Sequence, residues 1–372
     1  MTFPSSRQAG PSSRQAGPSD PTPRRAVVVG TGLIGGSIGL ALRKQGWHVT
    51  GRELDPRRAA RALDHGALDV VGDDPDATIT FVCTPVSSIA EEARAALAGG
   101  GVVTDVGGVK GPIVSTVDHP RFVGGHPMAG SEQEGMDGAD PSLFDGATWV
   151  LTPNVATDAE AYTLVRSVVT ALGADVVALA PERHDELVAT VSHVPHLAAA
   201  TLMALAADGA TEQGPMLRLA AGGFRDMTRI AAGHPGIWPD ICAENCEAIV
   251  EALDRYVAAL STMRDLVVRG DRPGLLEALE RARAARVNLP ARVAHDTRLV
   301  EIRVPVPDRP GVLAEITTLL GELDVNIEDL EIAHSVEGER GVLVLVVEET
   351  AAEDTRTALV SRGFHPTLRS LS

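Results

Sequence analysis

No apolar run in this chain of 372 residues approaches the ~20 needed to cross a bilayer. A membrane-spanning helix is therefore not expected. Nor does an apolar stretch follow the first residues in the manner of a secretory signal, so the expected location is the cytoplasm. Cysteine is scarce. Cys83, Cys242 and Cys246 are too few for a disulfide framework. Cys242 and Cys246 lie four apart on an expected helix, with no further Cys or His at ligand spacing. They read as core or interface residues, and no metal is expected. Positive charge is short as well. The net charge of −17 argues against a nucleic-acid partner. It leaves room for a small anionic substrate, which needs only a local patch of Arg. Lysine ends at Lys110, which bears on one competing reading below.

What is there suits a globular protein of two or three domains, with 44% apolar and 22% charged residues. Residues 1–23 contain the tandem repeat PSSRQAG-PSSRQAG and read as a disordered tail. Over 24–180, short apolar runs alternate with helical patterns. The expected strands are Ala26–Val29, His48–Gly51, Thr78–Cys83, Val102–Val106, Phe122–Gly124, Thr148–Thr152 and Asp175–Ala178. This α/β alternation predicts a mostly parallel, Rossmann-type sheet covered by helices. Over 181–290 the strand signals vanish. Ala, Leu and Glu recur at helical spacing, as in Cys242–Ala259 and Leu275–Arg286. The apolar faces exceed what one helix layer buries, which points to a homodimer. Residues 297–372 read as a ferredoxin-like βαββαβ unit, with strands at Leu299–Val306, Val325–Ile332, Gly341–Val347 and His365–Leu368.

The most informative stretch is AVVVGTGLIGGS, Ala26 to Ser37. A buried strand runs into Gly30-Thr31-Gly32-Leu33-Ile34-Gly35 and then into a helix, the order a dinucleotide-binding βαβ unit requires. Gly30 permits the tight turn and Gly32 admits a pyrophosphate to the backbone. Gly35 lets the helix pack on the strand, with its N-terminus facing the anion. Glu53 follows Gly35 by 18 residues at the end of the next strand. A carboxylate there can accept ribose hydroxyls and repel a 2′-phosphate, which favours NAD. Arg52 beside it keeps NADP open. Cys83-Thr84-Pro85 ends another strand on the edge that lines the crevice.

Two further segments carry chemistry. In Gly124-Gly125-His126-Pro127-Met128-Ala129-Gly130-Ser131-Glu132, a His between a glycine pair and a Pro after a strand is poorly explained by packing. His126 can take a proton near pH 7, because an unperturbed His has a pKa of about 6.5. Ser192-His193-Val194-Pro195-His196 lacks a third ligand for a metal. In Gly222-Gly223-Phe224-Arg225-Asp226-Met227-Thr228-Arg229, Arg225 and Arg229 share a face if the segment is helical. A guanidinium there can grip a carboxylate through two parallel hydrogen bonds.

GTGLIGGS, FVCTP, TDVGGVK, GGHPMAGSEQEG, SHVPH, and GGFRDMTRIA followed by Trp238 together resemble the prephenate dehydrogenase family in order and spacing, over 25–290. DRPGVLAEI and VNIEDLEI near the C-terminus resemble an ACT regulatory domain. The resemblance implies NAD-dependent oxidative decarboxylation of prephenate to 4-hydroxyphenylpyruvate in tyrosine synthesis. Hydride leaves ring carbon C4, CO2 leaves C1 and the ring becomes aromatic. On this reading His126 is the catalytic base for the 4-hydroxyl and Arg229 binds a carboxylate. His196, Ser131, Glu132, Arg225, Asp226 and Trp238 line or buttress the substrate pocket. Asp105 joins the cofactor contacts. Asp308, Gly311 and Asn326 mark a regulatory site for an effector, tyrosine being expected. One departure stands out: the family's D-x-x-S-x-K segment has Gly108 where a serine is usual.

Three competing readings follow from the same residues. Arogenate dehydrogenase differs from this reading by one or two pocket residues, and His196, a donor toward the keto or carboxylate end, favours prephenate. A 3-hydroxyacid-type dehydrogenase would need a lysine on the helical part, and none follows Lys110. An amino-acid-sensing regulator would need neither His126 and Arg229 nor the glycine fingerprint.

Overall fold

The computed structural model describes residues 24–131, 133, 135–212, 219–289, 299–307, 309, 311–323, 325–327, 329–334 and 340–370. The chain divides into two compact units, Met1–Pro290 and Ala291–Ser372.

The first unit is built on strands β1 (Arg25–Val29), β2 (His48–Arg52), β3 (Val70–Val71), β4 (Ile79–Val82), β5 (Val102–Asp105), β6 (Phe122–Pro127), β7 (Thr148–Thr152) and β8 (Asp175–Ala178). They form one sheet in the order β3-β2-β1-β4-β5-β6-β7-β8. All neighbours are parallel except β6 and β7. Connecting helices are α1 (Leu33–Lys44), α2 (Pro56–Asp64), α3 (Val86–Leu97), α4 (Gly111–Val117) and α5 (Ala159–Ala171). The apolar runs read as strands do so because both sheet faces are covered, with Ile38, Leu42, Phe81, Trp149 and Leu151 fully buried between layers. From β1 the chain moves to β2 on one side and later to β4 on the other. Their carboxyl ends therefore open a crevice at the switch point. The expected sheet is present. It gains the exposed two-residue β3, too short to leave a pattern in the sequence.

The helices that follow are α6 (Pro181–Val188), α7 (Val194–Glu212), α8 (Gly222–Thr228), α9 (Trp238–Glu244), α10 (Cys246–Arg269) and α11 (Arg272–Val287). One turn of wider π-helix, Ala189–His193, joins α6 to α7. Two expectations change here. The run Pro181–Gly209, 29 residues, is long and apolar enough to cross a membrane by length and composition. His184, Asp185, His193 and His196 interrupt it in the sequence. In the fold it packs Ala189 and Val194 against Ile249 and Ala252, and His184, Asp185 and His193 are buried within the unit. Cys242–Ala259 is also not one helix. It breaks at Asn245, whose amide is drawn to the carbonyl of Asp185 and the ring of His193. Cys242 and Cys246 therefore flank a break. Cys242 packs on the same small core, Cys246 is exposed, and both are free thiols.

The second unit runs β9 (Leu299–Pro307), α12 (Val312–Glu322), β10 (Asp329–His334), β11 (Arg340–Glu348), α13 (Glu349–Ser361) and β12 (Thr367–Ser370). The antiparallel order β10-β11-β9-β12 is the expected ferredoxin-like arrangement. Strand β10 starts four residues later than read. The N–H of Val325 closes α12 by bonding Leu320 O at 3.0 Å, so it is not available to the ladder.

Candidate active site

At the β1–α1 turn, Gly30 has φ +89°, and a Cβ there would lie 2.7 Å from the carbonyl oxygen of Cys83. Only glycine tolerates both conditions. A side chain at Gly35 would collide with the carbonyl of Gly30. Gly32 is the opposite case: nothing lies within 4 Å of where its Cβ would be. It is the N-cap of α1 and carries no capping side chain. The N–H groups of Leu33 and Ile34 therefore open the helix without an intrahelical partner. Across the crevice, the hydroxyl of Thr84 is buried with no hydrogen-bond partner among the described residues. Pro85 caps α3. An open glycine, an uncapped helix start and an orphan hydroxyl fit a dinucleotide that brings a pyrophosphate and polar groups of its own.

Glu53 also serves the turn itself. Its Oε2 accepts the N–H and hydroxyl of Thr31 at 2.9 and 3.0 Å, and Oε1 accepts the N–H of Asp55 at 3.1 Å. Partial burial pushes its carboxyl up. The bonds from Thr31 and Asp55, with Arg58 nearby, outweigh that and hold it below the ordinary glutamate value. Arg52 is turned away into ion pairs with Asp73, at 3.3 Å, and Glu92. Burial, reinforced by Asp105, raises the Cys83 thiol well above its ordinary value, so it stays protonated. Asp105 is a correction. Its side chain is fully buried and accepts from Lys110, Gly107 N and Gly125 N. Its side chain is turned to these partners and away from the solvent of the crevice. With Lys110, which also donates to Gly125 O at 2.9 Å, it ties β5 to β6.

That tie places His126. The residue lies in strand β6, not in a loop, because β7 extends the ladder as far as Pro127. The glycines before it are explained by packing after all. A Cβ at Gly125 would lie 2.7 Å from Asp105 O, and one at Gly124 2.8 Å from Val114. His126 is half-buried. Its Nδ1 lies 2.8 Å from Nε2 of His184, whose Nδ1 lies 2.7 Å from Oδ1 of Asp185. Desolvation of the His126 ring, then the neighbours His184, Lys110 and His193, push its pKa well below 6.5. The expectation that it titrates near pH 7 is therefore corrected: free His126 is neutral there. Its Nε2 edge faces Gly108, where a Cβ would stand 3.7 Å from Nε2. His184 and Asp185 escaped the sequence reading. The segment Glu182-Arg183-His184-Asp185-Glu186 looks like a solvated helix face, and its one signal was the His-Asp pair.

Near His126, the helices gather a second group. The rings of His196 and Trp238 stack with centroids 3.7 Å apart and planes at 15°. His193 meets the other side of Trp238 edge-on at 6.0 Å. Burial lowers the pKa of His196. Burial also takes His193 to about 4, against the pull of Asp185. Among the described residues, no three His, Cys, Asp or Glu are grouped to hold a metal. Helix α8 ends at Thr228, and Arg229 begins a 3-10 turn packed on α7. Arg225 and Asp226 are exposed on α8, with Arg225 Nε donating to Ala220 O at 3.2 Å. Arg225 and Arg229 therefore do not sit on one continuous α-helix. Ser131 is exposed and accepts the N–H of Gln133 at 3.1 Å. Glu132 lies outside the described residues. A hydrogen bond of 2.7 Å from Ser87 on α3 to Asp240 on α9 joins the crevice edge to the Trp238 helix.

The first unit thus combines the glycine turn of a dinucleotide-type crevice with a cluster of histidines. Comparison with known proteins decides the family. The family model described as "Prephenate dehydrogenase, nucleotide-binding domain" matches residues 38–178, and "Prephenate dehydrogenase, dimerization domain" matches 180–281. A prephenate dehydrogenase of Bacillus subtilis is 33% identical over 334 residues, 85% of this chain and 90% of the relative. The chain belongs to the prephenate dehydrogenase family. A crystal structure of prephenate dehydrogenase from Aquifex aeolicus, in complex with hydroxyphenyl propionate and NAD+, matches with TM-score 0.68 and 30% identity. That match covers 72% of this chain and 99% of the other. Synechocystis arogenate dehydrogenase matches with TM-score 0.61 and 32% identity, covering 70% of this chain and 98% of the other. An ACT domain model matches 300–359.

Family membership gives α10 and α11 a context, since the matched stretch is a dimerisation domain. Val257, Leu260 and Val267 on α10 and Leu276 and Leu279 on α11 are each at least half exposed. In the ACT unit, Gly311 is the N-cap of α12 at φ +90°, with open space where a Cβ would be. Asn326 is exposed just before β10. Asp308 lies outside the described residues.

Proposed function

We propose that this chain is a cytoplasmic NAD-dependent prephenate dehydrogenase that makes 4-hydroxyphenylpyruvate and CO2 for tyrosine synthesis. It works as a homodimer, with tyrosine as effector at the ACT unit. The observation that carries the reading is His126, a neutral His whose Nε2 faces the side-chain-free position 108. A base that is unprotonated at pH 7 can accept the 4-hydroxyl proton as C4 is oxidised.

Bound NAD supplies the hydride acceptor. The β1–α1 turn, from Gly30 to Gly35, holds its pyrophosphate, Thr84 and Pro85 line the crevice, and Glu53 faces the ribose. Arg52, already paired with two acids, is a poor partner for a 2′-phosphate, so NAD is favoured over NADP. Arg229 grips a substrate carboxylate, with Arg225 and Asp226 beside it on the same segment. His196 is held flat by Trp238 and addresses the side-chain end. Ser131 belongs to the substrate pocket. Aromatisation drives the reaction, so orientation of donor and acceptor is the main task of the protein.

The arogenate reading is kept by one finding, the similarity to the Synechocystis arogenate dehydrogenase. Parallel kcat/KM measurements on prephenate and arogenate separate the two. The proposal expects prephenate to be preferred, and a preference for arogenate would replace it.

A further inference from the structure

We propose that His184 and Asp185 are positioning residues that fix His126 in the tautomer with a bare Nε2. The proposal rests on His126 as the acceptor for the substrate hydroxyl.

The argument starts at Asp185. Its Oδ1 accepts the N–H of Lys110 at 2.7 Å, and Oδ2 accepts the N–H of Gly111 at 2.8 Å. The carboxylate is thereby clamped to the start of α4. The same Oδ1 lies 2.7 Å from Nδ1 of His184, whose side chain is completely buried. A carboxylate can only accept, so His184 carries its proton on Nδ1. In neutral imidazole the other nitrogen is then an acceptor. That nitrogen, Nε2, lies 2.8 Å from Nδ1 of His126. One of the two must donate, and only His126 Nδ1 has a proton left to give. The Nε2 of His126 is therefore bare, and it is the nitrogen that faces Gly108.

This matters for the step. The substrate O–H bond breaks and an Nε2–H bond forms on His126, which becomes an imidazolium. Its Nδ1–H already points at His184, and Asp185 lies one ring further on to balance the charge. Without that order, neutral His126 with its proton on Nε2 would present an N–H to the hydroxyl and be unable to accept from it. The other charged or titratable groups near His126 are Lys110, paired with Asp105, and His193. Neither makes a hydrogen bond to its Nδ1 among the described residues.

The test combines a tautomer readout with kinetics, on the full chain. In ¹⁵N-histidine-labelled wild type, without ligands near pH 8, His126 should show a protonated Nδ1 and a bare Nε2. In His184→Met that preference should weaken. His184→Met should lower kcat about 100-fold, within the range of positioned acid–base catalysis, with KM for NAD unchanged. His184→Gln offers a carbonyl oxygen to the Nδ1–H and should keep at least about tenfold more kcat than His184→Met. The proposal is overturned by a protonated Nε2 in wild type, by full kcat in His184→Met, or by equal losses in both variants. If wild type oxidises neither prephenate nor arogenate, the functional reading fails, and the labelled spectrum still decides the tautomer by itself.

Discussion

At position 229 the chain presents a guanidinium on a 3-10 turn packed against α7. A charge-assisted pair with a substrate carboxylate contributes about 1.5–3 kcal/mol. Arg229→Ala should therefore raise KM for prephenate about 10- to 100-fold and change kcat much less. Lysine should restore only part of this, since it lacks the planar fork. An unchanged KM would remove Arg229 from the binding site. His193 makes a separate prediction about stability. Its pKa is about 4 in the folded chain, against about 6.5 unfolded. Between these values the unfolded state holds more protons. The contribution is thus full above pH 6.5 and is lost as pH falls toward 4. His126 shifts in the same direction. Urea midpoints should drop over this window, and His193→Asn should flatten part of the drop. A midpoint constant across the window would contradict the buried, neutral state of both rings.

Among the elements, α10 is the most exposed to test. Val257, Leu260 and Val267 recur along one side of it and remain open to solvent in the single chain. An apolar stripe of this kind marks an interface. Leu260→Asp should shift the sedimentation coefficient from dimer to monomer, and a dimer of unchanged affinity would move the interface elsewhere. The elements also show what could be read from the residues alone. The β1–α1 turn was legible because Gly30, Gly32 and Gly35 each answer a local steric need beside a buried strand. The extent of β6 was not, because Gly124 and Gly125 mimic a loop, and only the neighbouring β5 and β7 reveal that they are packing positions. Asn245 was read through as helix for a similar reason. Its partners, Asp185 and His193, lie 60 and 52 residues away. The relay behind His126 stayed hidden likewise, since 58 residues separate it from His184. The resemblance alone puts Asp105 among the cofactor contacts, and the ion pair that buries its side chain against Lys110 is invisible in the sequence.

At the scale of the whole molecule, the proposal assigns catalysis to the first unit and regulation to the second. Gly311 leaves a helix N-terminus open in the ACT unit, where a ligand carboxylate is favoured. Tyrosine should bind the full chain by isothermal titration and lower its activity. A chain truncated at Pro290 should lose both responses and keep turnover. Inhibition persisting in the truncated chain would place tyrosine in the catalytic pocket instead. The central claim concerns that pocket, and product stoichiometry tests it most directly. With NAD and prephenate, wild type should form one NADH and one CO2 for each 4-hydroxyphenylpyruvate. His126→Asn should form all three about 10²–10⁴-fold more slowly while still binding NAD. NADH formed without CO2, or an undiminished rate in His126→Asn, would contradict the account.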